Sequence, residues 1–441
     1  MSKFFWLITW SILSLLCSNH ICANDGASNR FLSLNEVFNL AEQNNATLKS
    51  SKIATDVAEA AISSAKAQML PEINASLNFS YLGNGYLSDR DFKNGMNIDM
   101  PHFGNNFVIK ASQAIYTGGA LTSQVKLSEL GKQMAVQQTE DTRNNVRFML
   151  VGYYLQLALL DNQMRVYNAN ILLTENVIAQ MKTRHKEGVV LKNDITRYEL
   201  QLENQKLQRT RIVDNKKIIN HRLATAIGLS SDVTIIPDTA IIANMPETLS
   251  ETDWQSEAFI NSPVLKISQL NIEMKSTEER LSKSEQLPKV ALFAENNFNG
   301  PITIEVPAIN KNFNLWCMGV NISYNISSLF KSNKKIKQAS ISTRKAHEDY
   351  SVAKEYVENS VQAAYTDFLT SFSNLDTQKK SVELANQNYN VINNRYNNGL
   401  ALVTDMTDAA AMKLQSELAL VNSRINVIFN YFNLQFTCGK M

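Results

Sequence analysis

Asp405 and Asp408 are the two carboxylates whose spacing could do work in this chain. Three residues apart, they share one face if the segment is helical. Two readings fit that pattern. One is an acidic first turn, favoured by the positive end of the helix dipole. The other needs several copies of the chain around an axis, when the carboxylates form a ring that draws cations and sorts solutes by charge and width. Little else suggests chemistry. The five histidines, His20, His102, His185, His221 and His347, are scattered without metal-ligand spacing. No nucleophile elbow, phosphate loop or paired-cysteine motif occurs, so neither enzyme activity nor a cofactor is expected. Asp89-Arg90-Asp91 has the look of a calcium loop but reads more simply as a loop tip.

Charge excludes another class. The net charge is +2, and the densest basic run, Lys331, Lys334, Lys335 and Lys337, reads as a solvated helix start. Phosphate binding needs a concentrated basic face, so nucleic acid is not an expected partner. With 44% hydrophobic and 19% charged residues, the composition is that of a folded protein.

The N-terminus carries an address. Lys3, the apolar run Phe4 to Leu16 and the small residue at Ala23 follow the order of a secretory signal peptide, so residues 1–23 are expected to be removed. Cys17 and Cys22 lack the small preceding residues of a lipid-attachment site. The two remaining cysteines, Cys317 and Cys438, are expected as free thiols. No later segment reaches the length of a transmembrane helix. An exported chain of this kind is periplasmic, secreted, or a β-barrel in the outer membrane.

The elements that position the aspartates occur twice. Arg184-His185-Lys186-Glu187-Gly188 has a counterpart in Arg395-Tyr396-Asn397-Asn398-Gly399, and each glycine is followed by an aspartate six residues on, Asp194 and Asp405. The offset (405 minus 194) also pairs Tyr154 with Tyr365, Ser112 with Ser323 and Lys126 with Lys337. Upstream, Leu70-Pro71 pairs with Leu287-Pro288 at a slightly larger offset (288 minus 71), which places the length difference in one loop. Repeats are therefore expected at 24–250 and 251–441.

Each repeat reads alike. Ser33-Leu34-Asn35-Glu36 matches a capping box for a helix over 34–68, ended by Leu70-Pro71. Ile73, Ala75, Leu77, Phe79 and Tyr81 then alternate with polar residues, the pattern of a membrane barrel strand. A polar loop, 82–104, leads to a second strand at 106–116. The second copy has a helix over 252–286, a strand over 289–298 and a strand over 314–326. A long helix follows each strand pair, 120–184 and 333–395. The first, at roughly 1.5 Å per residue, is about 100 Å long. It carries two apolar stripes and so needs neighbours on both flanks. A turn at Gly188 or Gly399 reverses the chain into a shorter helix, 193–227 or 404–436.

Four strands cannot close a barrel, and an open edge is not tolerated in lipid. Several copies must share one wall, and three supply twelve strands. At this point the chain resembles the TolC-type outer-membrane efflux family over about 34–436. The resemblance rests on the Leu-Pro before each strand, Tyr116-Thr117-Gly118-Gly119 at a strand-to-helix junction and the two Gly-apolar hairpin tips. It implies a mainly α fold with membrane β: a homotrimeric twelve-stranded outer-membrane β-barrel, embedded in outer-membrane lipid and continued by a long periplasmic α-helical barrel.

The implied function is a passive duct of a tripartite efflux or type I secretion system, exporting small molecules or proteins. The implied partners are a periplasmic adaptor, meeting tips Gly188, Val189, Gly399 and Leu400, and an inner-membrane transporter. The resemblance also implies a lumen ring at Asp405 and Asp408, with Asp194 as the first-repeat equivalent, and a gating role for Tyr396. Ala401 stands where the family's network has an arginine, and Arg197 stands at the first-repeat equivalent of Asp408, so Arg197 or Arg395 is the expected substitute partner. A periplasmic coiled-coil adaptor or scaffold is the alternative; it explains the helices but not the four alternating segments.

Overall fold

The computed structural model describes residues 29–238 and 249–441. The expected signal peptide, with Cys17 and Cys22, lies outside them. In chain order the elements are β1 (Asn29–Leu32), α1 (Leu34–Asn44), α2 (Ala46–Ala67), β2 (Glu72–Tyr81), β3 (Gly85–Leu87), β4 (Met96–Ile98), β5 (Phe103–Tyr116), α3 (Ala120–Lys186), α4 (Lys192–Ile227), β6 (Thr234–Pro237), α5 (Glu251–Asn261), α6 (Pro263–Ser284), β7 (Lys289–Gly300), β8 (Phe313–Ser323), α7 (Ser328–Asn397) and α8 (Val403–Thr437). Among the described residues no helix is long and apolar enough to cross a membrane.

Two of the expected helices prove to be broken. The stretch 34–68 is α1 and α2, interrupted at Asn45, and 252–286 is α5 and α6, interrupted at Ser262. Both break residues have extended ψ, 124° and 118°. Both helix pairs also begin with a capping box. Glu36 N–H donates to Ser33 Oγ at 3.3 Å while Ser33 N–H donates to Glu36 Oε2 at 2.8 Å. Ser250 and Asp253 repeat this, each backbone bond at 3.3 Å. Caps (250 minus 33) and breaks (262 minus 45) keep the same offset as the Leu-Pro pair, so the duplication extends to helix geometry. At the second break Pro263 occupies the first helical position, where its missing N–H is harmless.

The chain forms two compact units, and they do not follow the two sequence repeats. One unit comprises the described parts of 1–45, 150–244 and 378–425; the other comprises those of 46–149, 245–377 and 426–441. Each takes helical segments from both repeats.

In the first unit, β1 and β6 pair in parallel, an element the sequence reading missed. Tyr154 of α3 ties them down. Its hydroxyl donates to Leu32 O at 2.8 Å and accepts from Asp238 N–H at 2.7 Å. Burial pushes this phenol up to about 12, so it stays a neutral donor. Asn220 of α4 does the same for the strand's start, donating to Val233 O and accepting from Ile235 N–H, both at 2.7 Å. Asn45, the break residue, donates to Ala226 O at 2.9 Å and so satisfies an end carbonyl of α4.

The second unit holds an antiparallel sheet in the order β2-β5-β7-β8. The strand pattern expected from alternation is present, with β8 ending at Ser323, short of Ile326. Register gathers many of the apolar positions of the four strands on one face, although Val108, Phe293 and Leu315 fall on the other. Leu77 faces Phe107, which faces Phe298. Leu292 faces Val320, Ala294 faces Met318 and Val290 faces Ile322. The other face carries Asn74, Lys110, Glu295 and Cys317 in one transverse row, with Lys110 and Glu295 ion-paired at 3.7 Å. All of β2 is exposed, as is β8 but for one half-buried glycine, and the outer edges of both strands lack a partner among the described residues. Rings gather at the end of β2 and the start of β5: Phe79 lies 5.6 Å from Phe103, and Tyr81 stacks on His102 at 5.2 Å. Beyond this end a short hairpin, β3–β4, occupies the expected loop.

Candidate functional site

The first unit contains both helix reversals, and they are built alike. At the end of α3, Gly188 N–H donates to His185 O at 3.0 Å and Val189 N–H to Arg184 O at 3.0 Å. At the end of α7, Gly399 N–H donates to Tyr396 O at 3.0 Å and Leu400 N–H to Arg395 O at 2.8 Å. This is the Schellman closure, which needs a left-handed residue after the helix. Both glycines have φ +75°, and a Cβ at either would meet nothing within 4 Å. Backbone conformation, not space, therefore selects glycine here.

The closure turns side chains outward. Val189 is 63% exposed and Leu400 68% exposed. Two residues on, Leu191 and Leu402 are more exposed still, at 71% and 70%. The sequence reading named Val189 and Leu400 but missed Leu191 and Leu402. The signal was available, because these two stand at the same repeat offset as the pair that was named.

Behind the reversals lies a core of Ile178, Met181, Tyr198, Tyr389, Tyr396 and Met406, among others. It is rich in phenols, and burial raises Tyr198, Tyr389 and Tyr396 above the ordinary tyrosine range. The hydroxyls of Tyr198 and Tyr396 are buried without a hydrogen bond. Tyr198 faces Thr407, whose Oγ1 donates to Val403 O at 2.9 Å. Lys413 lies 4.9 Å over the Tyr389 ring, a cation–π contact.

Arg184 joins the two reversals. Its guanidinium lies 5.5 Å over the Tyr396 ring and donates to the carbonyls of Tyr396 and Asn397 at 3.5 and 3.3 Å. Those are end carbonyls of α7, which a cation is well placed to satisfy. Arg395, offered in the sequence with Arg197 as a substitute gate partner, donates to Leu400 O at 3.4 Å, and Arg197 lines a groove with Asp408. The residue that does lie on Tyr396, Arg184, is the repeat counterpart of Arg395 and was quoted in the sequence only as part of the repeat. His185 Nδ1 donates to Val190 O at 2.6 Å, fixing the first turn further.

The aspartates differ among themselves. Asp405 Oδ2 accepts from Leu402 N–H at 3.0 Å, so its carboxylate closes the first turn of α8. Asp194, its first-repeat equivalent, makes no such cap bond in α4. Asp408 is exposed and lines an open groove of about 630 Å³ together with Arg197, Gln201, Gln208, Thr404 and Gln415. Arg197 and Asp408 thus share one groove, whereas Asp405 and Asp194 are not among its lining residues. Deeper along the same helices, Asn170 donates to Glu417 at 2.8 Å and Thr174 to Gln205 at 3.1 Å, polar ties in the helical packing.

Comparison with known proteins fits this architecture. The family described as Outer membrane efflux protein matches twice, over residues 37–229 and 254–440. Outer membrane protein TolC of Escherichia coli is 22% identical over 426 residues, covering 92% of this chain and 82% of that one. Toxin and drug export protein A of Aggregatibacter actinomycetemcomitans is 20% identical over 402 residues, covering 90% and 83%. Among solved structures, CusC superposes with a TM-score of 0.79 at 12% identity, covering 95% of this chain and 96% of that one. VceC from Vibrio cholerae superposes at 0.75 with 14% identity, covering 92% and 96%. With both halves of the chain matching the same family, the protein belongs to the TolC-type outer membrane efflux proteins, channels of the outer membrane with a periplasmic helical tunnel.

Proposed function

We propose that this chain is one of three identical subunits of a passive export duct, serving a tripartite efflux or type I secretion system. The observation that carries the reading is the four-stranded sheet with one mainly apolar face and two edges unpaired among the described residues. An isolated sheet of this kind leaves main-chain groups and a large apolar face uncovered, which neither water nor lipid accepts. Side-by-side pairing of β8 with β2 of the next copy remains antiparallel, and three copies make a closed wall of twelve strands. The apolar face then meets outer-membrane lipid, and the row with Lys110 and Glu295 lines the lumen.

In this reading residues 24–250 and 251–441 are the two repeats of one ancestral unit, and 1–23 direct export. The apolar tips at Gly188-Val189 and Gly399-Leu400 receive a periplasmic adaptor, which links the duct to an inner-membrane transporter. Asp405 and Asp408, repeated threefold, form the acidic throat. Asp194, Tyr396, Arg197 and Arg395 belong to the gate around it, with Arg184 as the cation seated on Tyr396. Cargo of the kind named for one relative, toxin and drug, suits such a duct.

The test is direct. Protein extracted in detergent is expected to run as a trimer by native mass spectrometry and to conduct ions in planar bilayers. A stable water-soluble monomer overturns the proposal.

A further inference from the structure

The groove that Arg197 and Asp408 share runs on along α4 and α8, and all its lining residues belong to the first unit. From Arg197 to Gln208 it follows α4 for about 16 Å. Arg197, Gln201, Gln205 and Gln208 come at steps of four, four and three, so they share one face of α4. Three of these four side chains are neutral carboxamides. From α8 come Ala411, Leu414 and Leu418, an apolar strip at helical spacing.

Two of the amides are incompletely bonded. Gln205 is only 5% exposed, and its Oε1 accepts from Thr174 Oγ1 at 3.1 Å. Its Nε2 has no partner among the described residues and is not sealed from solvent, so its N–H groups meet the groove. One turn earlier, Gln201 Oε1 is buried without a hydrogen bond, and its Nε2 is also unpaired. Buried polar groups are normally satisfied, so these two amides on one groove wall point to a ligand. Rotation about the broad terminal torsion of Gln201 turns its oxygen outward, so this side chain can offer an acceptor as well as a donor.

The chemistry of the wall selects the ligand class. A carboxamide carries a donor and an acceptor together, as a peptide group does. Gln201 and Gln205 stand about 6 Å apart along the helix axis. On one edge of an extended chain, main-chain groups recur about every 6.6 Å. The length of the α4 wall accommodates about five residues of such a chain. Alternate side chains of that segment would rest on Ala411, Leu414 and Leu418, and the others would face water.

We propose that this groove holds an extended polypeptide segment. Main-chain carbonyls take the N–H groups of Gln205, and a main-chain N–H takes the outward-turned oxygen of Gln201. Contacts of this kind read the backbone and tolerate many side chains. The proposal rests on the duct reading and deepens it: polypeptide is the cargo class for which the first unit has a seat.

The full chain in detergent tests this by calorimetric titration with a blocked octapeptide of alternating serine and alanine. Saturable binding is expected at one per chain, with polyethylene glycol of matching length at least about ten-fold weaker. Gln201→Leu and Gln205→Met are each expected to weaken the peptide about three- to ten-fold. Gln201→Leu removes an unpaired oxygen, and Gln205→Met leaves Thr174 donating to Asn170 O at 2.8 Å, so both variants are expected to melt as the parent does. The comparison of peptide with polyether uses unmodified protein and stands whether or not a variant folds. No saturable peptide binding up to about 5 mM overturns the site. So does equal binding of the polyether, or undiminished binding to the folded double variant. Ion conduction by the same preparation separates the two readings: a conducting trimer that ignores the peptide keeps the duct and loses the groove.

Discussion

Asp405 has two duties that one substitution can separate. Its carboxylate accepts from Leu402 N–H, and it carries a charge into the proposed throat. Asp405→Asn keeps an acceptor for that N–H and removes the charge; Asp405→Ala removes both. If the throat reading holds, Asn at both 405 and 408 lowers cation selectivity, read from reversal potentials across a salt gradient, without loosening α8. Ala at 405 adds the loss of a cap, about 1 kcal/mol, seen as faster amide exchange in residues 402–406. Unchanged reversal potentials in the double Asn variant remove the ring assignment. Arg184 makes a second residue-scale case. Arg184→Ala strips the cation from Tyr396 and two carbonyls, a loss of about 1–2 kcal/mol. Exchange in 396–400 is expected to rise about ten-fold. Arg184→Lys restores the charge but not the planar stack, so it recovers only part.

At the scale of elements, caps and turns fix where helices begin and reverse. Glu36 sits at the start of α1, and its bonds from Ser33 hold its carboxyl below the usual value of 4.5. A lowered folded value means that the carboxylate's contribution is complete above 4.5 and declines as pH falls through the folded value. Amide exchange at the start of α1 is therefore expected to speed up in acid beyond its intrinsic pH trend, and Glu36→Gln removes that dependence. Gly188 and Gly399 set the reversals by conformation, with open space where a Cβ would go. Alanine at either is expected to cost about 1 kcal/mol and asparagine less, since asparagine tolerates the left-handed region. Thermal melts of the single variants check the order.

For the whole molecule the decisive question is which way the sheet faces. Cys317 shares its face with Lys110 and Glu295, while its neighbours Trp316 and Met318 lie on the apolar face. Cys438 is buried and donates to Trp254 O at 3.5 Å, and burial pushes its thiol up to about 12. A water-soluble maleimide is therefore expected to label Cys317 and spare Cys438 in the reconstituted, processed protein. With Cys317 replaced by Ser, a cysteine at 318 is expected to resist that reagent and react with a lipid-soluble one. Labelling of 318 from water as readily as 317 contradicts a lipid-facing apolar surface.

Much of this was legible along the chain because it is local. Period-two alternation announced β2, β5, β7 and β8, since one face must be apolar for the strand to have a place at all. Ser33 and Glu36 announced a helix start, and the repeat of Arg-x-x-x-Gly announced two reversals. What tertiary structure alone decided is what depends on distant partners. The break at Asn45 has neither proline nor glycine to mark it; the side chain earns its place by reaching Ala226 O, far along the chain. The four-residue strands β1 and β6 are too short to show a period, and they pair only because Tyr154 and Asn220 hold them. Arg184 meets Tyr396 across two reversals, and Gln205 and Asp408 share a groove from separate helices. Residue order encodes which face of an element is apolar and where it starts and turns. Which two faces meet is a property of the packed chain, because contact energy depends on neighbours that sequence spacing does not name.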